Sequence, residues 1–291
     1  MLSLHTNNAA LSAQSSISKT QGTLSTSMTR LSTGYRINSA MDDAAGLQIA
    51  TRLKAQTSGM TVAMSNTQNS TSMLQTAMGA FNEVTNMLVR MKDLATQAAD
   101  ASSSANDKTA MQAEYNALGQ ELYNVITNTT FGGTKLLGNG AAAANGTLST
   151  TMTFQIGADA SEKMSVDQSA NMSSLASALF SATANFSSAA AAGATELTSA
   201  ANATITLLST AISSVSTVNS ALGAAANRLD HINNNLSNIS SNTKAATGRI
   251  MDTDFATESS SMTASQMLLQ AGTAMLKQSN SMSSMVMSLL Q

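Results

Sequence analysis

Apolar side chains recur along most of this chain at alternating steps of three and four. Ile17, Leu24, Met28, Leu31 and Tyr35 fall at steps of 7, 4, 3 and 4, the spacing of a heptad seam. Gly34 interrupts that seam. Ser39, with Asp42 three residues on, then reads as a helix cap, and Asp42 and Asp43 suit the positive end of the new dipole. The pattern predicts a break near 33–40 and a fresh helix after it. From Ala44 to about Ala99 there is no turn cluster, and Phe81, Val84, Leu88, Met91, Ala95 and Ala98 step by 3, 4, 3, 4 and 3. A helix over that span would run roughly 84 Å at 1.5 Å per residue. Such lengths belong to coiled coils and fibre parts. Residues 100–106 read as a turn, and Asn106 or Asp107 caps a further helix to about Asn128. That helix carries Met111, Leu118, Leu122 and Val125, and Phe131-Gly132-Gly133 ends it.

The pattern then changes. Gly138-Asn139-Gly140 and Asn145-Gly146 are turn signals. Thr151 to Gly157 alternates in the manner of a strand, and Lys163 to Asp167 can pair with it as a hairpin. Residues 171–200 are rich in Ala and Ser with weak periodicity, and read as a short irregular insert. Helical spacing returns with Ile205, Leu208, Ile212, Val215, Asn219, Leu222, Ala226 and Leu229, then Ile232, Leu236 and Ile239. Asn219 falls on that seam, where a polar residue can set register. Gly248 to Asp254 breaks the run. Met262, Leu269 and Leu276 follow at steps of seven, and Met275, Met282, Met285 and Leu289 at 7, 3 and 4.

These elements give a mainly α fold: a long antiparallel helical bundle or coiled coil of N- and C-terminal segments with a small β-hairpin insert. The expected domains are 1–43 and 251–291, two halves of an inner helical unit. Outside them lie 44–200, a helical stretch with hairpin and insert, and 201–250, its returning helix. The terminal amphipathic helices have too few partners of their own. A lone amphipathic helix is marginal in water, so these ends should be disordered alone and fold against copies of themselves.

Composition sharpens this picture. Only 10% of the 291 residues are charged and the formal net charge is -2. That gives no basic footprint for nucleic acid and suits a surface destined for contact. There is no Pro to kink long helices and no Cys for disulfides or thiolate metal sites, whereas Met reaches 20 residues. Met adapts to irregular contact surfaces. The opening residues do not form a signal peptide, and no stretch is expected to approach a membrane span, so no membrane insertion is expected.

Particular runs carry a resemblance. Leu31 to Arg52, with its Asp42-Asp43-Ala44-Ala45-Gly46 core, is similar to the N-terminal signature of bacterial flagellins. Leu222 to Leu229, Ala246 to Glu258, Gln270 to Leu276 and the ending Ser288-Leu289-Leu290 resemble the C-terminal signature, and Thr153 to Ala158 resembles the family's small hairpin. The resemblance covers about residues 1–140 and 200–291.

It implies a secreted structural subunit that polymerises into the flagellar filament for motility, with no catalytic role and no cofactor. Filament-core packing is expected from Ile17, Leu24, Met28, Leu31, Leu269, Leu276, Met282 and Leu289. The inter-helix connection is expected at Gly34, Arg36, Asp42 and Asp43. The implied partners are further copies of the chain, the flagellar type III export apparatus and a flagellin-specific chaperone. Hook-associated and cap proteins join them. Host receptors are implied too: Arg90, Leu94 and Glu114 match positions engaging a Toll-like receptor, and Leu289 and Leu290 match leucines sensed by inflammasome receptors.

Other readings have less behind them. His5 and His231 are the only histidines and no Asp, Glu or Cys cluster surrounds either in sequence, where a metal or acid–base site needs convergent groups. Asp42 and Asp43 read as helix-start electrostatics, with contact to Arg36 or Arg52 of this or a neighbouring subunit, rather than as a carboxylate pair for catalysis. A hook–filament junction protein would share the terminal signatures. A type III effector should show bilayer-entering runs, and a helical enzyme a titratable constellation.

Overall fold

The structure, a computed structural model, describes residues 7–138, 145–187 and 194–289, with backbone alone at 283, 284 and 286–289. His5, Asn139, Gly140, Leu290 and the Leu289 side chain lie outside the described residues. The helices are α1 (Asn8–Thr33), α2 (Ala44–Ala99), α3 (Ala105–Asn128), α4 (Ser169–Ala182), α5 (Glu196–Ser199), α6 (Ala201–Met251) and α7 (Phe255–Leu289). Strands β1 (Thr130–Phe131) and β2 (Thr134–Lys135) form one antiparallel hairpin, and β3 (Met152–Gln155) and β4 (Lys163–Val166) another. The chain separates into two compact units. The terminal unit is Met1–Thr57 with Ser241–Gln291, and the central unit is Ser58–Ser240. This division falls inside α2 and α6, whereas the sequence places domain limits in the connections around 43 and 250.

The central unit holds the core. On α2, Leu74, Ala77, Phe81, Val84, Leu88, Met91, Ala95 and Ala98 are all buried, one unbroken heptad stripe. On α6 the buried stripe is Leu208, Ala211, Val215, Val218, Leu222, Ala225 and Leu229, in the same cluster. The expected α6 seam is therefore displaced by one residue at two places. Ile212 and Asn219 are expected beside Leu208, Val215, Leu222, Ala226 and Leu229, and the stripe runs instead through Ala211 and Val218, with Ala225 buried beside the expected Ala226. Asn219 is half-buried and donates from Nδ2 to Asn82 Oδ1 on α2 at 3.1 Å, so it bridges the rim. Ile239 likewise stands exposed while Ser240 is buried. α6 is also long and apolar enough, by length and composition, to cross a membrane. That corrects the expectation that no stretch comes near, and the reason is the density of Ile, Val and Leu between Ile205 and Leu222.

Local chemistry sets the ends of α3. The cap is Ser104, two residues before the expected Asn106: its hydroxyl accepts from Asp107 N at 3.2 Å, and Asp107 Oδ2 accepts from Ser104 N at 3.0 Å. This is a reciprocal capping box. Gly132 (φ 57) and Gly133 (φ 83) then make the two-residue turn between β1 and β2, a backbone that a side chain would strain. The β3–β4 hairpin pairs Met152 with Val166 and Gln155 with Lys163, as the alternation predicts.

The largest difference from the sequence reading lies in 169–182. The expected irregular insert is α4, a 14-residue helix that buries Met172, Leu175, Ala176, Leu179 and Ala182. Two of those five are Ala, which blurs the period when only large apolar residues are counted. Polar bonds fix the following segment to α3. Tyr115 donates its hydroxyl to Ala182 O at 2.6 Å, and Gln112 Nε2 donates to Glu196 Oε2 at 2.8 Å. Leu197 N donates to Gln112 Oε1 at 2.7 Å, and Asn185 Nδ2 to Asn116 Oδ1 at 2.9 Å. Gly119 permits this approach, since a Cβ there would meet Thr183 Oγ1 at 2.8 Å. Burial and the nearby Glu196 charge push the Tyr115 phenol pKa upward, so it stays a neutral donor. Leu179→Ala should cost about 2–5 kcal/mol through the cavity it leaves. Urea denaturation followed by tyrosine fluorescence checks this, because a solvent-exposed insert would lose less than ~0.5 kcal/mol.

Candidate assembly surface

In the terminal unit α1 and α7 lie antiparallel. Asn7 Nδ2 donates to Ser279 O at 3.2 Å at one end, and Arg30 meets Glu258 at 3.6 Å towards the other. The less exposed stripe of α1 is Ala10, Ala13, Ile17, Thr20, Leu24, Ser27 and Leu31. That of α7 is Glu258, Met262, Ser265, Leu269, Gly272, Leu276 and Ser279. Both are heptads in which every second member is small or polar. Gly272 lets the helices close, since a Cβ on it would meet Ile17 Cγ1 at 2.9 Å. In the structure the two ends form a helical pair within one chain, and each helix supplies the other's seam partners.

The expected core residues divide between two faces. Ile17, Leu24, Leu31, Leu269 and Leu276 stand on the seam. Met28 and Met282 stand off it, each more than half exposed. Ser27 takes the seam place read for Met28, and it is buried. Tyr35, also read into the seam, is exposed. Ser27, Ser265, Gly272 and Ser279 escape a search for apolar periodicity, although the seven-residue interval from Ile17 to Leu24 to Leu31 points at their register.

The connection is tied by backbone. Gly34 ends α1 in the left-handed region at φ 75 and donates to Arg30 O. Gly34 O then accepts from Thr253 N at 3.0 Å, Arg36 N donates to Met251 O at 2.6 Å, and Arg36 Nη2 donates to Ile250 O at 2.9 Å. Arg36 is therefore committed to a carbonyl, and no ion pair from Asp42 or Asp43 to Arg36 or Arg52 occurs among the described residues. Asp42 does not cap α2 with Ser39. Its Oδ2 accepts from Asn38 N at 3.0 Å and Ser39 N at 2.9 Å, closing the turn. Asp43 starts α2 instead, accepting from Gly46 N on Oδ1 at 2.8 Å. Ile37, not singled out by the sequence, is buried beside Gly46, where a Cβ would meet its Cδ1 at 2.8 Å.

The Asp42 carboxyl is held below the usual range by the Ser39 and Asn38 amides, with the Ser39 hydroxyl and Arg30 helping. Its folded pKa lies below the unfolded one, so the turn is fully held above about pH 3.9 and loosens as pH falls through the lower folded value. Amide exchange at Asn38 and Ser39, corrected for intrinsic rate, should lose protection only in that acid window, and Asp42→Asn should lose it at neutral pH. Gly272→Val should separate α1 from α7 and lower the helical circular dichroism lost on deleting 255–291, whereas Gly272→Ala should do so less.

Elsewhere, Arg90 and Glu114 pair with each other at 2.7 Å, each about half exposed. Leu94 is buried in the central core, so it is not on the surface beside them. His231 stands exposed on α6. No group of three His, Cys, Asp or Glu that could hold a metal occurs among the described residues.

Comparison with known proteins identifies this arrangement. Residues 4–143 match the bacterial flagellin N-terminal helical region, and residues 205–290 match the bacterial flagellin C-terminal helical region. The chain is 34% identical to flagellin A of Vibrio anguillarum and 34% identical to a flagellin A of Vibrio cholerae, each alignment covering 100% of both chains. A putative flagellar hook-associated protein from Vibrio parahaemolyticus has a similar fold, with TM-score 0.55 at 15% identity over 72% of this chain and 100% of that one. With both terminal regions matched and full-length relatives at this identity, the chain belongs to the bacterial flagellin family.

Proposed function

We propose that the α1–α7 pair is the surface through which this flagellin joins copies of itself. As a flagellin it is a structural subunit of the flagellar filament, an extracellular appendage of motility, and belongs to a family of structural proteins. The observation carrying the reading is an imbalance of burial. Among the described residues of the terminal unit, the buried hydrophobic side chains are Ile37 and Ala50 alone. Leu11, Met28, Phe255, Met267, Leu268, Met275 and Met282 are each more than half exposed on the same two helices. Monomeric proteins rarely leave an apolar face of that extent uncovered. Copies adding their own helices would bury it, and a repeated heterologous contact grows an open helical polymer.

On this reading Ile17, Leu24, Leu31, Leu269 and Leu276 hold each pair together, and Met28 and Met282 face the next subunit. The same sticky helix favours a flagellin-specific chaperone on α7 before export, unfolded, through the type III apparatus. Hook-associated and cap proteins would meet the same surface at the filament ends. For host Toll-like receptors the accessible groups are Arg90 and Glu114. Inflammasome receptors would recognise Leu289 and Leu290.

Purified full-length chain, seeded or salted with ammonium sulfate, should form uniform filaments by negative-stain electron microscopy. Deletion of 255–291 should abolish filaments while leaving the central unit's cooperative unfolding in place. A truncated chain that still polymerises would overturn the assignment of assembly to this surface.

A further inference from the structure

The chain has 20 methionines, and among the described residues two groups stand at the extremes of exposure. In the central unit Met60, Met91, Met152, Met164 and Met172 are at most 5% exposed. On the terminal helices Met28, Met267, Met275, Met282 and Met285 are 56%, 60%, 69%, 57% and 62% exposed. Met275 and Met282 lie seven residues apart on one face of α7, with Leu268 a further seven residues before them. Packing alone does not require sulfur there, since Leu serves on the neighbouring seam at Leu269 and Leu276. The chain has no Cys, so Met is its only side chain open to mild, reversible sulfur oxidation.

We propose that Met28, Met267, Met275 and Met282 are sites of reversible sulfoxidation that control self-assembly, a proposal that rests on the assembly reading of α1 and α7. The oxidant is a peroxide. Its O–O bond breaks, one oxygen bonds to the thioether sulfur, which loses two electrons, and the other leaves as water. Each event turns a flexible apolar side chain into a polar one. The helix itself tolerates this, because these positions face solvent in the single chain. The cost arises on assembly, where a sulfoxide would enter a contact with no partner for its oxygen. Reduction by methionine sulfoxide reductases returns the thioether. Buried methionines of the central unit are shielded, so the fold survives conditions that alter the contact face. Met41, 96% exposed in the connection between α1 and α2, supplies an internal control: it should oxidise as fast, yet it lies on neither helix.

The test treats full-length monomer with hydrogen peroxide, maps sulfoxides by peptide mass spectrometry, and measures the critical concentration for filament growth. Met28, Met41, Met267, Met275, Met282 and Met285 should oxidise first and the five buried methionines last. Oxidised chain should keep its helical circular dichroism and need about ten-fold more protein to polymerise, the factor that ~1.4 kcal/mol per subunit represents. Methionine sulfoxide reductases of both stereospecificities should reverse this. The Met28→Leu, Met267→Leu, Met275→Leu, Met282→Leu variant, with Met285→Leu added so that no exposed thioether is left on α7 among the described residues, should polymerise equally before and after peroxide, although Met41 is still oxidised. Normal growth of oxidised wild type would overturn the proposal, and so would equal inhibition of that variant. Untreated wild type that never polymerises would remove the assembly reading, and this proposal with it.

Discussion

Two helices packed against each other can hide only one stripe apiece, and the terminal unit consists largely of such a pair. Ile17, Leu24 and Leu31 face Met262, Leu269 and Leu276, yet all six stay only half-buried. Among the described residues of the terminal unit, no third layer closes over them. Burial of apolar area is worth about 25 cal/mol per Å², so the uncovered faces of α1 and α7 represent stabilisation that one copy leaves unrealised. Partial burial also dictates the chemistry of the seam. Ser27, Ser265, Gly272 and Ser279 keep the helices close enough for the aliphatic residues to touch, without adding bulk that a neighbour would have to displace.

The central unit solves the opposite problem. Its stripes on α2 and α6 share one buried cluster with α3, α4 and both hairpins, and its polar bonds are spent on docking rather than on chemistry. Gln112, Asn116, Asn185 and Glu196 satisfy one another and nearby amides. Tyr115 is raised in pKa by burial and by its carboxylate neighbour, and with its proton committed to a carbonyl it reads as a strut. A unit finished in this way can remain intact while the terminal helices change partners.

Long elements were legible wherever large apolar residues carried the period. The Phe81 to Ala98 run, the extent of α2 and the β3–β4 hairpin all follow from spacing, because nothing competes with it there. Legibility failed where alanine or serine did the packing. On α6, steps to Ala211 and Val218 were as good as steps to Ile212 and Asn219, and only the shared core chooses between them. On α4, Ala176 and Ala182 hid a helix inside an Ala/Ser-rich composition. Caps were misplaced by a few residues, at Ser39 and Asn106, because Ser, Asp and Asn crowd both turns and each could serve. At the assembly surface, the seam leucines were readable and the small residues between them were not, since a glycine's role depends on what faces it.

The main-chain link at Tyr35 and Asp252 joins positions more than two hundred residues apart in sequence, and it turns everything between them into one closed circuit. The entropy of closing such a circuit grows only with the logarithm of its length, about 0.6 kcal/mol for each doubling. Chain can therefore be added to or removed from the interior of that circuit at little cost to the clamp or to the helices it anchors. The alignment with flagellin A of Vibrio anguillarum spans 390 positions against the 291 residues here, yet covers both chains fully. Length variation of that kind is what a clamp closing the circuit tolerates, leaving α1 and α7 the same packing whatever is carried between them.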